Sequence, residues 1–365
     1  MADSVFISAG DPSGDNAISR VVEHLQSKNS KLTFFGLGGI RLKKLGQEQF
    51  ANREDLAVIG FWEVAKRYFY FRKLFHTCIT EIEKRNPKVI ILVDYPGFNL
   101  RLAKKIKKFK IPIVYYISPQ IWAWGKKRIK EIQEYVDLMI PILPFEEKFY
   151  QDSGVNVKYA GHYLMEDIKS EYVASPIPQD SYLALLPGSR RQEIERMLPV
   201  MIESAESIYK KYNIKSVIAG VSELYDYESL IKDKDFISII YDDSRKVMYD
   251  SQLVLTASGT ATLEIGLIGR PMVIIYKTGN LTYQIAKRVV KLNAIGLVNL
   301  VLAENVLPEL IQSDANKKNI IIKLSEFLEN SSYKTNTINR LHTLPSLLGE
   351  ENISENIADY IGEYL

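Results

Sequence analysis

Short apolar runs that end in loops of Gly, Pro, Ser and Asp recur along this chain, with helix-period segments between them. Nothing else in the sequence constrains the fold as tightly. The run at 89–93, Val-Ile-Ile-Leu-Val, has no polar residue on either face. Such a strand must be covered on both sides, and strands of that kind lie parallel and need crossover helices. In the first half the runs fall at 5–9, 32–37, 89–93, 113–117, 138–142 and 157–159, with helical patterns such as 18–26 and 74–85 between them. A polar, Pro-containing passage at 170–180 interrupts the series, which restarts at 182–186, 216–219, 237–240, 253–256 and 272–276. At 365 residues the chain exceeds one ordinary core and suits two, of ~150–180 residues each. The expected fold class is α/β, with two doubly wound Rossmann-like domains over 1–168 and 169–345 facing each other across a cleft. In such sheets ligands sit in the loops after the strand ends.

Composition removes several classes of function. Hydrophobic residues at 46% and charged residues at 25% are those of a globular protein, and no apolar run approaches the ~20 residues a membrane span needs. Met-Ala-Asp-Ser leads straight into the first run without a basic segment or cleavage site, so a cytoplasmic protein without an export signal is expected. One cysteine, Cys78, makes no internal disulfide and reads as core filler. Four scattered histidines, His24, His76, His162 and His342, form no metal signature, so neither a metal nor a cofactor is expected. Charge is uneven. Residues 1–165 carry 26 Lys+Arg against 17 Asp+Glu, and residues 166–365 carry 21 against 27. The positive excess concentrates between Arg101 and Lys130, where ten basic residues occur with no acid among them. That stripe is either a solvated helix face or a surface for anions: nucleic acid, phosphorylated small molecules or an acidic membrane.

Five loop stretches carry candidate chemistry. Pro187-Gly188-Ser189-Arg190 follows an apolar strand and opens a helical segment containing Glu193, which brings backbone N–H groups and an arginine to one helix start. That is a place for phosphate, or an ordinary turn. Gly10-Asp11-Pro12-Ser13-Gly14-Asp15 has the position of a dinucleotide-binding turn without its glycine spacing, which disfavours a nicotinamide or flavin. Its carboxylates and hydroxyl suit sugar hydroxyls, unless Ser13 or Asp15 simply caps the helix. Asp94 follows the strand at 89–93 and is the general-base candidate, or else it orders the Pro96-Gly97 turn. Trp122 and Trp124, beside Lys126-Lys127-Arg128, suit stacking on a sugar, a lipid headgroup boundary or the core. Ser258-Gly259-Thr260 lets a diphosphate approach at a helix start, with Glu264 one turn on, placed to accept from a ribose.

Taken together these stretches resemble the lipid-A-disaccharide synthases, glycosyltransferases of the two-Rossmann-domain architecture called GT-B. The resemblance rests on Ala9-Gly10…Ser13-Gly14-Asp15, Asp94-x-Pro-x-Phe-Asn99, Tyr116-x-Ser-Pro-x-x-Trp-Ala-Trp124 and Leu143-Pro-Phe-Glu146. It continues through Gly161-His162, Leu185-Leu-Pro-Gly-Ser-Arg190 with Glu193, Ala257-Ser-Gly-Thr-Ala-Thr-Leu-Glu264 and Val298-Asn299-Leu300. These motifs span about 290 residues in the family's order, and the run with two tryptophans is the most specific.

The resemblance implies a metal-independent, inverting transfer of 2,3-diacylglucosamine from UDP to the 6-hydroxyl of 2,3-diacylglucosamine 1-phosphate, which gives the β-1,6 disaccharide of lipid A and UDP. Carried over, Asp94 matches the family's essential aspartate, with Asp11 as the second catalytic candidate. The family usually has Glu at that position, which leaves the division of labour between the two acids open. Gly188, Ser189, Arg190, Glu193, Ser258, Gly259, Thr260, Glu264 and Asn299 fall to the nucleotide sugar, and Ser13, Gly14, Asp15 and His162 to the acceptor. The partners implied are the UDP-diacylglucosamine donor, the diacylglucosamine 1-phosphate acceptor and an anionic membrane surface, with no nucleic acid. Phe61, Trp62, Tyr68, Phe69 and Lys73 either are ordinary core or combine aromatic groups with cations as interfacial helices do, and the second reading places the protein peripherally on the cytoplasmic face of the inner membrane. In the final segment, 346–365, Ile353, Ile357, Tyr360, Ile361 and Tyr364 recur at helical spacing, for packing on the first domain or for a homodimer contact.

Rival readings are a UDP-N-acetylglucosamine epimerase-like enzyme, another UDP-sugar transferase of the same architecture, a nicotinamide oxidoreductase, and a binding module without catalysis. The epimerase leaves the aromatic and basic features of the first half unexplained, and a binding module explains the basic stripe alone.

Overall fold

Strands without a polar face are buried from both sides. In the computed structural model, which describes residues 3–51, 68–124, 128–168, 170–279, 283, 294–349 and 352–365, all five residues of Val89–Val93 are fully buried. The chain divides into two units, one of Met1–Glu166 with Leu348–Leu365, the other of Asp167–Leu347.

Unit 1 holds strands β1 (Ser4–Ala9), β2 (Thr33–Leu37), β3 (Glu48–Gln49), β4 (Val89–Val93), β5 (Ile113–Tyr116) and β6 (Leu138–Ile140). They form one parallel sheet in the order β3-β2-β1-β4-β5-β6. Its helices include α1 (Pro12–Lys28), α2 (Ile40–Lys44), α3 (Tyr68–Arg85), α4 (Pro96–Ile106), α5 (Ile121–Trp124), α6 (Ile129–Tyr135) and α7 (Pro144–Asp152). Residues 157–159, expected as a strand, contribute one bridge, Met139 to Val157. Cys78 is buried in the core between α3 and the sheet, which pushes its thiol up to about 12 and leaves it inert at neutral pH.

Unit 2 repeats the plan with β7 (Tyr182–Leu186), β8 (Ser216–Gly220), β9 (Ile237–Tyr241), β10 (Ser251–Ala257), β11 (Met272–Tyr276) and β12 (Glu309–Ile311), in the order β12-β11-β10-β7-β8-β9. Its helices include α8 (Arg191–Tyr212), α9 (Ser244–Tyr249), α10 (Ala261–Ile268), α11 (Leu297–Leu302), α12 (Lys317–Glu329) and α13 (Ser331–Leu341). Arg270, fully buried, donates to the carbonyls of Ser175, Pro176, Tyr249 and Ile268 and so stitches the start of unit 2 to two helix ends.

The last helix, α14 (Ile353–Gly362), packs on α1 within unit 1. Its apolar positions Ile353, Ile357 and Ile361 are fully buried there. Lys28 pairs with Asp359, and Lys158 with Glu363 at 2.5 Å. The backbone N–H of Ser354 donates to Glu166 (2.8 Å), which caps a helix whose own N-cap residue supplies no side-chain bond.

Both sheets follow one rule. The strand order reverses between β1 and β4 in unit 1 and between β7 and β10 in unit 2, and the crevice outside such a reversal is where an open parallel sheet holds ligands.

Candidate active site

In unit 1 the two strands at the reversal end side by side, Ala9 beside Val93, so the loops after them open next to each other. Asp11 is the N-cap of α1, its backbone extended and its carboxylate accepting from the Gly14 N–H at 2.9 Å, with Pro12 in the first turn. The cap is therefore Asp11 rather than Ser13, which is exposed, or Asp15. Asp94 stands directly after β4 with φ 45°, and Tyr95 follows with φ 48°. Two successive non-glycine residues in the left-handed region cost of order 1–2 kcal/mol each, so something must hold them. The Asp94 carbonyl accepts from the Asn99 amide (2.8 Å) and the Tyr115 hydroxyl (2.6 Å), and Asn99 accepts from the Ser8 hydroxyl of β1 (2.7 Å). Tyr95 stacks on Phe98, and a Cβ added at Gly10 would lie 2.5 Å from the Tyr95 ring. Gly10 thus lets the two loops touch.

Burial pushes the Asp94 carboxyl up to about 6, and the like charge of Asp11 adds to the rise. Asp11 is itself raised, by burial first, against the lowering effect of backbone N–H groups at Gly14 and Ser13. A carboxylate that titrates near neutrality beside a second one is suited to take a proton from a hydroxyl. Beside Asp11 a cleft of ≈ 310 Å³ is lined by Gly10, Asp11, Gly38, Gly39, Arg41 and Lys44 among others.

Not every acceptor candidate has a side chain free for a ligand. Asp15 is buried, and its carboxylate accepts from the N–H groups of Gly39 (2.7 Å), Arg41 (3.0 Å) and Leu42 (3.3 Å). It caps α2, whose N-cap glycine has no side chain, and this corrects its assignment to the sugar. His162 is 0% exposed under the C-terminal segment, where its N–H donates to the Leu348 carbonyl (2.7 Å) and its Nδ1 accepts from the Leu164 N–H (3.1 Å). Burial pulls its pKa down to about 3, so it is neutral and out of reach of an acceptor. Gly14 is buried, and a Cβ there would meet the Asp11 carboxylate at 2.7 Å. Trp122 packs edge-on against Phe145 and donates its indole N–H to buried Glu146 (2.8 Å), which also accepts from Ser118 (2.6 Å) and from the N–H of Leu143 (3.0 Å). One carboxylate, raised to about 6 by burial, thereby joins two loop motifs of the ligand edge. Phe61 and Trp62 lie outside the described residues, as do the side chains of Tyr68 and Trp124. Phe69 is 79% exposed on α3, and Lys73 is exposed.

Unit 2 builds its crevice from other groups. After β7 the chain turns at Gly188 (φ 108°), and a Cβ there would fall 2.5 Å from the Glu193 carboxylate, which folds back over the turn. Glu193 accepts from Arg190 at 2.9 Å, holding the guanidinium at the start of α8 while 60% of that side chain stays exposed, with Ser189 exposed beside it. After β10, Gly259 and Thr260 are exposed at the start of α10, and open space surrounds Gly259 on the side a Cβ would take. The Ser258 hydroxyl donates to the Ile295 carbonyl (3.0 Å), and Glu264 accepts from Arg245 (2.9 Å), which also donates to the Asp167 carbonyl (2.7 Å).

Asn299 is 1% exposed, and its amide makes three bonds, donating to Leu307 O (2.9 Å) and Glu309 (2.8 Å) and accepting from the Leu307 N–H (3.1 Å). Its expected contact with the sugar is corrected to a bracing role in this arrangement. Glu309 in turn accepts from the N–H groups of Ile295 (2.7 Å) and Gly296 (3.0 Å), so it braces the segment that holds Ser258. Glu309, Arg245, Arg41 and Lys44 belong to no motif in the sequence. Only the i, i+3 spacing of Arg41 and Lys44 after Gly38-Gly39 leaves a local trace.

Comparison with known proteins agrees with this geometry. Residues 5–360 match the sequence profile described as lipid-A-disaccharide synthetase. A lipid-A-disaccharide synthase from Coxiella burnetii is 36% identical over 370 residues, covering 98% of this chain and 97% of its own. Another from Geobacter sulfurreducens is 36% identical over 372 residues, covering 99% and 97%. Among solved structures, the UDP-GlcNAc 2-epimerase from Neisseria meningitidis bound to UDP-GlcNAc superposes with a TM-score of 0.66 at 13% identity, each chain covered in full, a likeness of fold alone. With two doubly wound units in the expected order and a match over nearly its whole length, the chain belongs to the lipid-A-disaccharide synthetase family.

Proposed function

We propose that this protein is an inverting glycosyltransferase that forms the lipid A disaccharide, moving 2,3-diacylglucosamine from UDP to the 6-hydroxyl of 2,3-diacylglucosamine 1-phosphate. The observation that carries the assignment of the base is Asp94, held after β4 in a strained turn and raised to about 6 beside Asp11. Asp94 takes the proton of the 6-hydroxyl as that oxygen bonds to the donor's anomeric carbon. The anomeric bond to UDP breaks on the opposite face, UDP leaves with the electron pair, and configuration inverts. General-base help of this kind is worth about 10²–10⁴ in rate.

The negative charge that grows on the leaving diphosphate falls to unit 2. Arg190, exposed beside its Glu193 brace, and the exposed backbone at Ser189, Gly259 and Thr260 supply positive charge and N–H donors. Glu264, oriented by Arg245, is the group for the ribose. Acceptor recognition is assigned to the loop of Asp11, Ser13 and Gly14.

Acylated substrates call for a membrane surface. In favour of one on unit 1 are exposed Phe69 with Arg72 and Lys73 on α3, and Arg101, Lys104 and Lys105 exposed on α4, against which α3 packs. Among the described residues no helix is long and apolar enough to cross a membrane.

The test is to incubate the purified protein with UDP-diacylglucosamine and diacylglucosamine 1-phosphate and analyse the mixture by mass spectrometry. UDP and the disaccharide are expected together. An epimerised sugar from UDP-N-acetylglucosamine alone, with no disaccharide, would replace this reading by the epimerase.

A further inference from the structure

The cleft beside Asp11 carries opposite charges on its walls. Asp11 lies on one side, and Arg41 and Lys44, both exposed, lie on another, carried by α2. We propose that Arg41 and Lys44 bind the phosphate monoester of a sugar phosphate acceptor and so select a phosphorylated acceptor over its dephosphorylated counterpart. The inference rests on the reading of unit 1 as the acceptor side.

Several observations carry it. Residues three apart on a helix share a face and rise about 4.5 Å along it, so the two head groups can converge on one phosphate. Among the described residues neither side chain is in an ion pair, so both charges are available to a ligand.

The element that bears them is anchored more firmly than a solvated five-residue helix requires. The Asp15 carboxylate holds its first turn from beneath, Gln49 donates to the Gly39 carbonyl at 2.8 Å, and Gln26 of α1 donates to the Leu45 carbonyl at 2.9 Å. Anchors at both ends fix the backbone that carries the two cations.

The floor between the charges is glycine backbone. A Cβ at Gly38 would meet Gln47 at 2.2 Å, and one at Gly39 would meet Asp15 at 2.5 Å. The missing side chains let Gln47 and Asp15 pack directly against this backbone, which holds the floor of the cleft in place. The volume, ≈ 310 Å³, lies at the small end of ligand sites and has room for one phosphorylated sugar ring. A ring seated there puts hydroxyls toward the acid and its phosphate toward the cations.

The test compares kcat/KM for diacylglucosamine 1-phosphate and for diacylglucosamine lacking the phosphate, in the natural protein and in Arg41→Ala, Lys44→Ala and the double variant. The expected preference for the phosphorylated acceptor falls roughly tenfold in each single variant and roughly a hundredfold in the double one, as loss of charge-assisted contacts implies. The loss appears in the acceptor KM, with the donor KM unmoved. An unchanged preference, a loss in donor KM instead, or a natural protein indifferent to the phosphate overturns the proposal.

Absence of disaccharide from either acceptor would remove the proposed reaction, and a second readout then decides this inference separately. Glucosamine 1-phosphate and glucosamine are titrated against the natural protein and the double variant by NMR. Tighter binding of the phosphate that disappears in the variant supports the site, and equal binding to both proteins overturns it.

Discussion

The two units share a strand order and place their candidate residues at the same point of it, yet the chemistry at the two reversals is opposite. Unit 1 brings two carboxylates together in partial burial and turns its chain through strained, left-handed Asp94 and Tyr95. Unit 2 turns through Gly188 and exposes an arginine with backbone of small residues. The fold decides where a ligand can sit, and the few residues after each strand decide what that place can do. An acid near its pKa beside a second acid takes protons, whereas an arginine and helix starts meet anions.

Removing the acid of unit 1 is the harshest way to break this contrast. Asp94→Asn is expected to lower kcat by about a thousandfold, the range of general-base loss. Stability should move the other way. Asp94 has a folded pKa of about 6, above its ordinary 3.8. Such a group contributes stability below the ordinary value and loses it as pH rises through about 6, so its ionised form destabilises the native state at pH 7. The variant should therefore unfold at an equal or higher temperature at pH 7, and calorimetry beside the rate assay checks both halves. A loss of activity accompanied by a lower midpoint at pH 7 would mean a structural role.

A smaller effect sharpens the contrast through pH. With a base that titrates at about 6, kcat/KM should fall roughly tenfold between pH 7 and pH 5 along a single acid limb. In Asp11→Asn, which removes the like charge, that limb should move to lower pH. A limb that stays where it was would separate the two acids.

The mildest test lies in unit 2. Arg245 touches Glu264 and the Asp167 carbonyl rather than the crevice itself, so Arg245→Ala should raise the donor KM by roughly fivefold with little change in kcat. Steady-state kinetics with the donor varied distinguishes this from a fall in kcat alone, which would contradict a positioning role.

How far these features could be read from sequence depends on how local their causes are. The expected runs at 89–93, 182–186 and 272–276 coincide with β4, β7 and β11 because a strand buried on both faces must be apolar throughout. The edge strands β3, Glu48–Gln49, and β12, Glu309–Ile311, are short and partly polar, so no apolar run announces them. Asp94 was legible from its place after a strand. The work of Asp15 was not, since it caps a helix that starts 25 residues further on, and the same holds for His162, covered by a segment from the far end of the chain. Asn299 shows the difference most clearly. The family resemblance suggests a ligand contact, while its three bonds run to Leu307 and Glu309, partners that only the folded chain brings together.

The claim that unit 1 supplies the base and unit 2 holds the diphosphate is tested most directly by titrating UDP calorimetrically into the natural protein, Asp94→Asn and Arg190→Ala. The account predicts near-natural affinity in Asp94→Asn despite its lost turnover, and affinity lowered by roughly tenfold or more in Arg190→Ala, as loss of a charged contact to phosphate implies. Natural affinity in Arg190→Ala, or UDP binding lost in Asp94→Asn, would contradict it.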